Sequence, residues 1–302
     1  MDRLVIKGGN RLKGEVSISG AKNAVLPILA ATLLTDEPCI IKGAPNLQDT
    51  YTMLKILRSL GKVTVFNKDV IRVASGDRQN FIADYKLVST MRASFCVLGP
   101  LLAKLKKAKV SLPGGCVIGV RPVDLHLKGI KALGASIELE SGYVVAKAKR
   151  NLKGTHIYLG GAFGSSVLAT ANVMMAATLA KGKTIIESAA CEPEIVDLAE
   201  FLIKMGAKIK DAGTHHIEIE GVKQLKGAEH KVIPDRIEAG TFIIAALITK
   251  GDILIKNVIW QHLGALLDKL EEAGVHINKE DSSLHVTLKR QTLKPVNVIT
   301  LP

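Results

Sequence analysis

Cysteine is scarce in this chain: four residues, at 39, 96, 116 and 191, stand far apart with no CxxC pair. That spacing excludes a disulfide framework, argues against a zinc site and fits a reducing compartment. Aromatic residues make up only 4%, too few for the stacking platforms that hold single-stranded nucleic acid. No apolar run reaches the roughly 20 residues that cross a bilayer. The longest, Val167 to Ala180, reads as a buried helix. The opening residues, MDRLVIKGGNRLKG, lack the apolar core of a secretory signal. The expected location is the cytoplasm, with no membrane and no nucleic-acid partner. Acidic residues are outnumbered too, 28 against 41 lysines and arginines, for a net charge of +13. The one local basic run, Lys104 to Lys109, has no aromatic interleaved, so the charge suits a phosphorylated small molecule better than a nucleic acid.

What the chain does have is apolar mass and a repeat. At 302 residues and 47% hydrophobic it can bury a sizeable core, and it is long enough for two domains. Leu-Lys-Gly recurs at 12–14, 152–154 and 225–227, and glycines at 61, 134, 206 and 274 lie 73, 72 and 68 residues apart. Four units of about seventy residues follow. Each reads as an apolar helix, a short strand (Cys39–Ile41, Val110–Leu112, Thr184–Ile186, Ile253–Ile255), an amphipathic helix closed by glycine, and alternating strands. Helices alternating with strands predict an α/β fold in which helices pack on sheets.

The chemistry gathers in Ser111–His126, SLPGGCVIGVRPVDLH. Pro113, Gly114 and Gly115 read as a turn, which puts Cys116 on an exposed connection. Arg121 follows five residues later, and Pro122 is placed to open a helix. A nearby cation or helix N-terminus lowers a thiol's pKa, so a reactive cysteine beside an anion site is one reading. An inert buried cysteine in a tight turn, with a solvated arginine, is the other.

Four motifs, in order along the chain, resemble the UDP-N-acetylglucosamine enolpyruvyl transferases. They are Gly20-Ala21-Lys22-Asn23-Ala24, the PGGC–RPVDLH stretch, Glu192-Pro193-Glu194-Ile195-Val196-Asp197 and Pro234-Asp235-Arg236-Ile237-Glu238. The resemblance spans nearly the whole chain and implies an inside-out α/β barrel of two domains. Residues 22–229 would form the complete first domain. Residues 1–21 and 230–302 would form a partial, discontinuous second one, ending where a fifth repeat would begin and leaving inner faces exposed. The implied reaction carries the enolpyruvyl group of phosphoenolpyruvate to the 3-hydroxyl of UDP-N-acetylglucosamine and releases phosphate, the first committed step of peptidoglycan synthesis. It implies no metal and no organic cofactor.

By the same resemblance Cys116 is the proton donor, and Lys22, Asn23 and Arg121 bind phosphoenolpyruvate. Arg92, Arg121, Pro122, Val123, Asp124, Leu125, Ser166 and Val167 bind the nucleotide sugar, although Leu168 stands where the family has glycine. On their own, Lys22 is an ordinary surface lysine, Asn23 an N-cap and Arg92 a solvated helix-start residue. His126 reads as a packing or surface residue rather than a diphosphate ligand. The family's proline-threonine-aspartate motif, whose aspartate serves as base, does not occur in these 302 residues. Two other readings are a shikimate-pathway enolpyruvyl transferase, against which Cys116 argues, and a UDP-sugar-binding module without turnover.

A first prediction follows from Cys116 on its glycine loop beside Arg121. A phosphonate epoxide that resembles phosphoenolpyruvate should alkylate Cys116 before Cys39, Cys96 or Cys191, and faster with UDP-N-acetylglucosamine present. Peptide mass spectrometry reads the order of labelling, and any other cysteine modified first refutes it.

Overall fold

A computed structural model describes residues 3–114, 123–162, 164–288 and 293–299. Contacts divide the chain into two units, Ala21–Ile233 and Met1–Gly20 with Pro234–Leu301. After strand β1 (Lys13–Ser17), the first repeat comprises α1 (Lys22–Ala31), β2 (Cys39–Lys42), α2 (Gln48–Ser59), β3 (Lys62–Asn67), β4 (Val70–Ser75) and β5 (Ile82–Ala83). The second comprises α3 (Tyr85–Val88), a 3₁₀ turn (Arg92–Val97), α4 (Leu98–Leu105), β6 (Lys107–Ser111), α5 (Asp124–Ala132), β7 (Ser136–Glu140), β8 (Tyr143–Lys147) and β9 (His156–Tyr158). The third has α6 (Val167–Ala177), β10 (Lys183–Glu187), α7 (Pro193–Lys204), β11 (Lys208–Lys210), β12 (His216–Glu220) and β13 (Glu229–Lys231). The fourth has α8 (Arg236–Ile248), β14 (Asp252–Lys256), a 3₁₀ turn (Trp260–Leu263), α9 (Gly264–Glu272), β15 (His276–Glu280) and β16 (Ser283–Thr287).

All four sheets have the same plan: a linking strand runs parallel to the central strand, and a hairpin completes the sheet antiparallel. In the larger unit each linking strand leaves one repeat and pairs with the next, β5 with β6 and β9 with β10. The last, β13, returns to β2, with Glu229 opposite Ile40 and Lys231 opposite Lys42. Three repeats therefore close on themselves. In the smaller unit β1 pairs with β14 in the same manner.

The repeat glycines do the same work four times. Gly61, Gly134, Gly206 and Gly274 take φ of +97°, +95°, +103° and +88°, the left-handed region open to glycine, just past the ends of α2, α5, α7 and α9. The chain then comes back to the same place in every repeat. The N–H groups of Asn80, Lys153, Lys226 and Lys294 donate to the carbonyls of Leu60, Leu133, Met205 and Ala273.

Apolar helices fill the larger unit. From Ala24 to Ala31 every residue of α1 is buried, and α6 is buried from Ala169 to Ala177. Each buried Leu, Ile or Val adds about 1.5–3 kcal/mol, and the helices pack close enough that some contacts admit only glycine. A Cβ on Gly99 would stand 2.2 Å from the Asn172 carbonyl oxygen. Helix α8 is as apolar in sequence but exposes Ile237, Ile244 and Ile248. Among the described residues no helix is long and apolar enough to cross a membrane.

Two alanine substitutions should have opposite signs. Gly99→Ala forces α4 off the backbone of α6 and should cost at least about 2 kcal/mol. Gly264→Ala meets nothing within 4 Å and keeps a helical φ of −47°, so it should stabilise by up to about 1 kcal/mol. Urea unfolding midpoints decide both.

Candidate functional site

Among the described residues, several of the expected site residues stand at helix heads. Lys22 opens α1 and Arg92 opens the 3₁₀ turn before α4; Val167 opens α6. A helix head presents N–H groups with no partner in their own helix, and these favour anions. Helix α6 is capped by Ser166, whose Oγ accepts from the Ala169 N–H at 3.3 Å. Helix α5 starts at Asp124 with no side-chain cap. Cys116, Arg121 and Pro122 lie outside the described residues.

The described parts of the second and third repeats are drawn together here. Gly114 leans on the second repeat's helical entry, since a Cβ there would lie 2.3 Å from the Ser89 carbonyl oxygen. Leu125 packs on Gly161, 3.3 Å from where a Cβ would stand. The loop that begins at Gly160 therefore rests on the Asp124–Leu125 segment. Behind both lies a buried polar knot. The Asn172 amide nitrogen donates to the Phe95 carbonyl at 3.0 Å and to His126 Nδ1 at 3.0 Å, and its oxygen accepts from the Gly99 N–H at 2.6 Å. Asn172 thus caps α4 from another helix, where the chain supplies no local cap. His126 is fully enclosed, edge-on to Phe95 at 5.1 Å between centroids. Burial, helped by the charge of Arg92, pushes its pKa down to about 3. It is a neutral packing residue and holds the start of α5 against Arg92's element and α6.

The first repeat places Lys22 and Asn23 by different means. Lys22 Nζ stands 3.4 Å from Asp49 of α2, with both side chains more than a third exposed. A pair that open contributes little to stability, so it orients the ammonium rather than anchoring the fold. Asn23 is not the N-cap. Ala21 holds that position, and Asn23 sits exposed in the first turn. Pro27, one helical turn on, has no N–H to give the Asn23 carbonyl. The Asn23 carbonyl therefore lacks its usual helical donor, and the residue is exposed.

Ala21 is itself fixed by the ring closure: its N–H donates to the Ile233 carbonyl at 2.8 Å. That strand end is locked by Asp197 from the Glu192–Asp197 motif. Asp197 Oδ1 accepts from His230 Nε2 at 2.8 Å, and Oδ2 accepts from the Ile233 N–H at 3.3 Å. Lys204 Nζ donates to His230 Nδ1 at 3.0 Å. With both side chains 1% exposed, Asp197 is a structural tie. The other three cysteines are poor nucleophiles by contrast. Burial raises the Cys39 and Cys191 thiols and lifts Cys96 to about 12.

This fold is that of an enolpyruvyl transferase. The chain belongs to the EPSP synthase (3-phosphoshikimate 1-carboxyvinyltransferase) family, whose model matches residues 6–302. Among its relatives, the UDP-N-acetylglucosamine 1-carboxyvinyltransferase of Methylacidiphilum infernorum is 51% identical over 300 residues, covering 99% of this chain and 70% of that protein. The UDP-N-acetylglucosamine 1-carboxyvinyltransferase 2 of Carboxydothermus hydrogenoformans is 53% identical over 303 residues, covering 100% and 71%. In structure the chain resembles the enolpyruvyl transferase NikO from Streptomyces tendae, with a TM-score of 0.86 at 22% identity over 97% of this chain and 70% of that one. EPSP synthase from Acinetobacter baumannii follows at 0.75 and 18% identity, covering 98% and 68%.

His126 carries a pH prediction. Its folded pKa lies below the ordinary 6.5, so the unfolded chain binds the proton more tightly, and stability is lost as pH falls below 6.5. The shifted carboxylates titrate from about 4.5 downward. His216, whose pKa is raised by Glu187, loses its contribution as pH rises instead. Between pH 6.5 and 4.5 the folding constant should fall by up to about tenfold per unit. His126→Gln keeps an acceptor for Asn172 and should flatten that slope, read from urea midpoints. An unchanged slope places the titration elsewhere.

Proposed function

We propose that the chain's activity is transfer of the enolpyruvyl group of phosphoenolpyruvate to the 3-hydroxyl of UDP-N-acetylglucosamine, with release of phosphate. The observation that carries this reading is that Asn172 ties the element of Phe95 and Arg92 and the first turn of α5 to α6, with Gly161 against Leu125. This arrangement offers an anionic sugar nucleotide helix-head N–H groups and a guanidinium together. Relatives about 50% identical bear the corresponding name.

In this reading residues 22–229 form one domain, and residues 1–21 with 230–302 belong to the other. Arg92, Arg121 and the backbone of Pro122 to Leu125, Ser166 and Val167 hold the diphosphate and uridine. Lys22, Asn23 and Arg121 hold phosphoenolpyruvate. Cys116 gives its thiol proton to the methylene carbon as the sugar hydroxyl oxygen bonds to the carbon bearing phosphate and the hydroxyl proton passes to solvent. Phosphate leaves when that methyl carbon gives a proton back, which restores the double bond. Fixed cations stabilise the carboxylate and the departing phosphate. No nucleic acid or membrane takes part, and the expected compartment is the cytoplasm.

Calorimetry with UDP-N-acetylglucosamine tests the assignment. Arg92→Ala and Arg121→Ala should each weaken binding about tenfold or more, the value of a charge-assisted hydrogen bond. Lys107→Ala, whose ammonium lies over the Phe81 ring, should leave binding unchanged. Equal losses in all three variants sink the site assignment. A phosphate-release assay on the same samples distinguishes turnover from binding alone.

A further inference from the structure

Where the second and third repeats of the larger unit meet, positive charge collects without a counterpart. A hollow of about 560 Å³ is lined by Lys106, Lys149, Arg150, Asn151, Lys153 and Lys181. A second, of about 580 Å³, shares four of those residues and adds Lys131 and Lys147. No carboxylate is among the described residues lining either. Other lysines of the same unit are matched, Lys104 with Asp36, Lys183 with Glu218 and Lys208 with Glu220.

The third repeat supplies an internal comparison. Its own surface hollow contains Glu218 and Glu220 beside Lys183, Lys208 and Lys210. Strand register explains the difference: Lys208 faces Glu220 there, whereas the matching place in the second repeat sets Ser136 against Lys147. Helix dipoles account for part of the charge. Lys106 is the C-cap of α4, and Lys181 follows the end of α6. They do not account for Lys149, Arg150 and Lys153, which lie on the loop between β8 and β9.

Main-chain bonds fix the frame of this hollow. The Lys106 carbonyl accepts from Ala148 N–H at 2.8 Å, Lys153 N–H donates to Leu133 at 2.9 Å, and Lys181 N–H donates to Leu152 at 2.7 Å. The side chains alone need to gather. The hollow lies at the tails of α4 and α6, while the proposed substrate residues sit at the helix heads. Eleven residues of α6 separate the two ends by about 16 Å.

We propose that this hollow binds a small, multiply phosphorylated anion at a site separate from the substrates. Its volume lies within the roughly 300–1,000 Å³ of small-ligand sites. With no aromatic in the lining, it recognises phosphate groups and not a base. The Arg150 fork and the Asn151 amide supply directed donors, and the lysines supply point charges.

Isothermal titration of the 302-residue chain with tripolyphosphate, with and without saturating UDP-N-acetylglucosamine, tests this. Wild type should bind in both conditions, more weakly at higher salt. The double variant Lys149→Glu/Arg150→Glu should lose at least about tenfold in affinity. Lys153→Gln/Lys181→Gln should weaken it in the same direction, and Lys208→Ala should not. Melting temperatures near wild type show that the variants fold. The proposal is overturned by absence of binding in wild type, by unchanged affinity in both double variants, or by competition with the nucleotide sugar. Retention of duplex RNA or anionic vesicles without any response to tripolyphosphate overturns it as well.

Discussion

Three residues of pairing between Glu229–Lys231 and Ile40–Lys42 hold the larger unit closed. Without this pairing the first sheet would lack its parallel edge, and β13, the third repeat's linking strand, would have no sheet to join. The consequence reaches the chemistry directly. Ring closure brings the Ile233 carbonyl to the Ala21 N–H, and Ala21 sets where α1 begins and where Lys22 and Asn23 project. The buried Asp197–His230 tie holds the same segment from behind. A carboxylate and an imidazole are costly to bury unless each finds a partner. Here each does, so the cost is met by fixing one loop.

The same economy governs the second and third repeats. Helices α4 and α6 are buried because they are apolar, and burial forbids unpaired polar groups along their length. Polar chemistry is thereby pushed to their ends. Among the described residues of α6 Thr170 and Asn172 depart from this: Thr170 Oγ1 accepts from the Ala190 N–H at 3.0 Å, and Asn172 uses two donors and one acceptor across three elements. Asn172 ties together the helix heads that bear Arg92, Asp124 and Ser166.

Much of this was legible in the sequence. The glycine ladder reported the repeat because each glycine needs a left-handed φ that other residues rarely take. The amphipathic helices and central strands showed through their periodicity. The linking strands did not, since two or three residues such as Ile82–Ala83 carry no period. Asn172 left one trace, a lone amide inside the apolar run Val167 to Ala180, and a buried amide must have partners. Nothing local pointed to Phe95, His126 and Gly99 as those partners, because the spacings of 77, 46 and 73 residues are set by topology. Asn23 misled as an N-cap because residue type alone favours asparagine there. Its true place depends on Ala21 being held from Ile233.

Helices α1 and α8 occupy the same place in their repeats and show how differently a helix head can be secured. Helix α8 caps itself: Asp235 Oδ1 accepts from the Ile237 and Glu238 N–H groups, and the Glu238 carboxylate accepts from Ser19 N–H. Helix α1 has no side-chain cap at all. Its first residues are positioned by a strand more than two hundred residues away in sequence, through Ile233, Asp197 and His230. A self-capped helix spends its polar side chains on its own backbone. A helix capped by topology spends no side chain on capping itself, and the two polar residues at the head of α1 are Lys22 and Asn23.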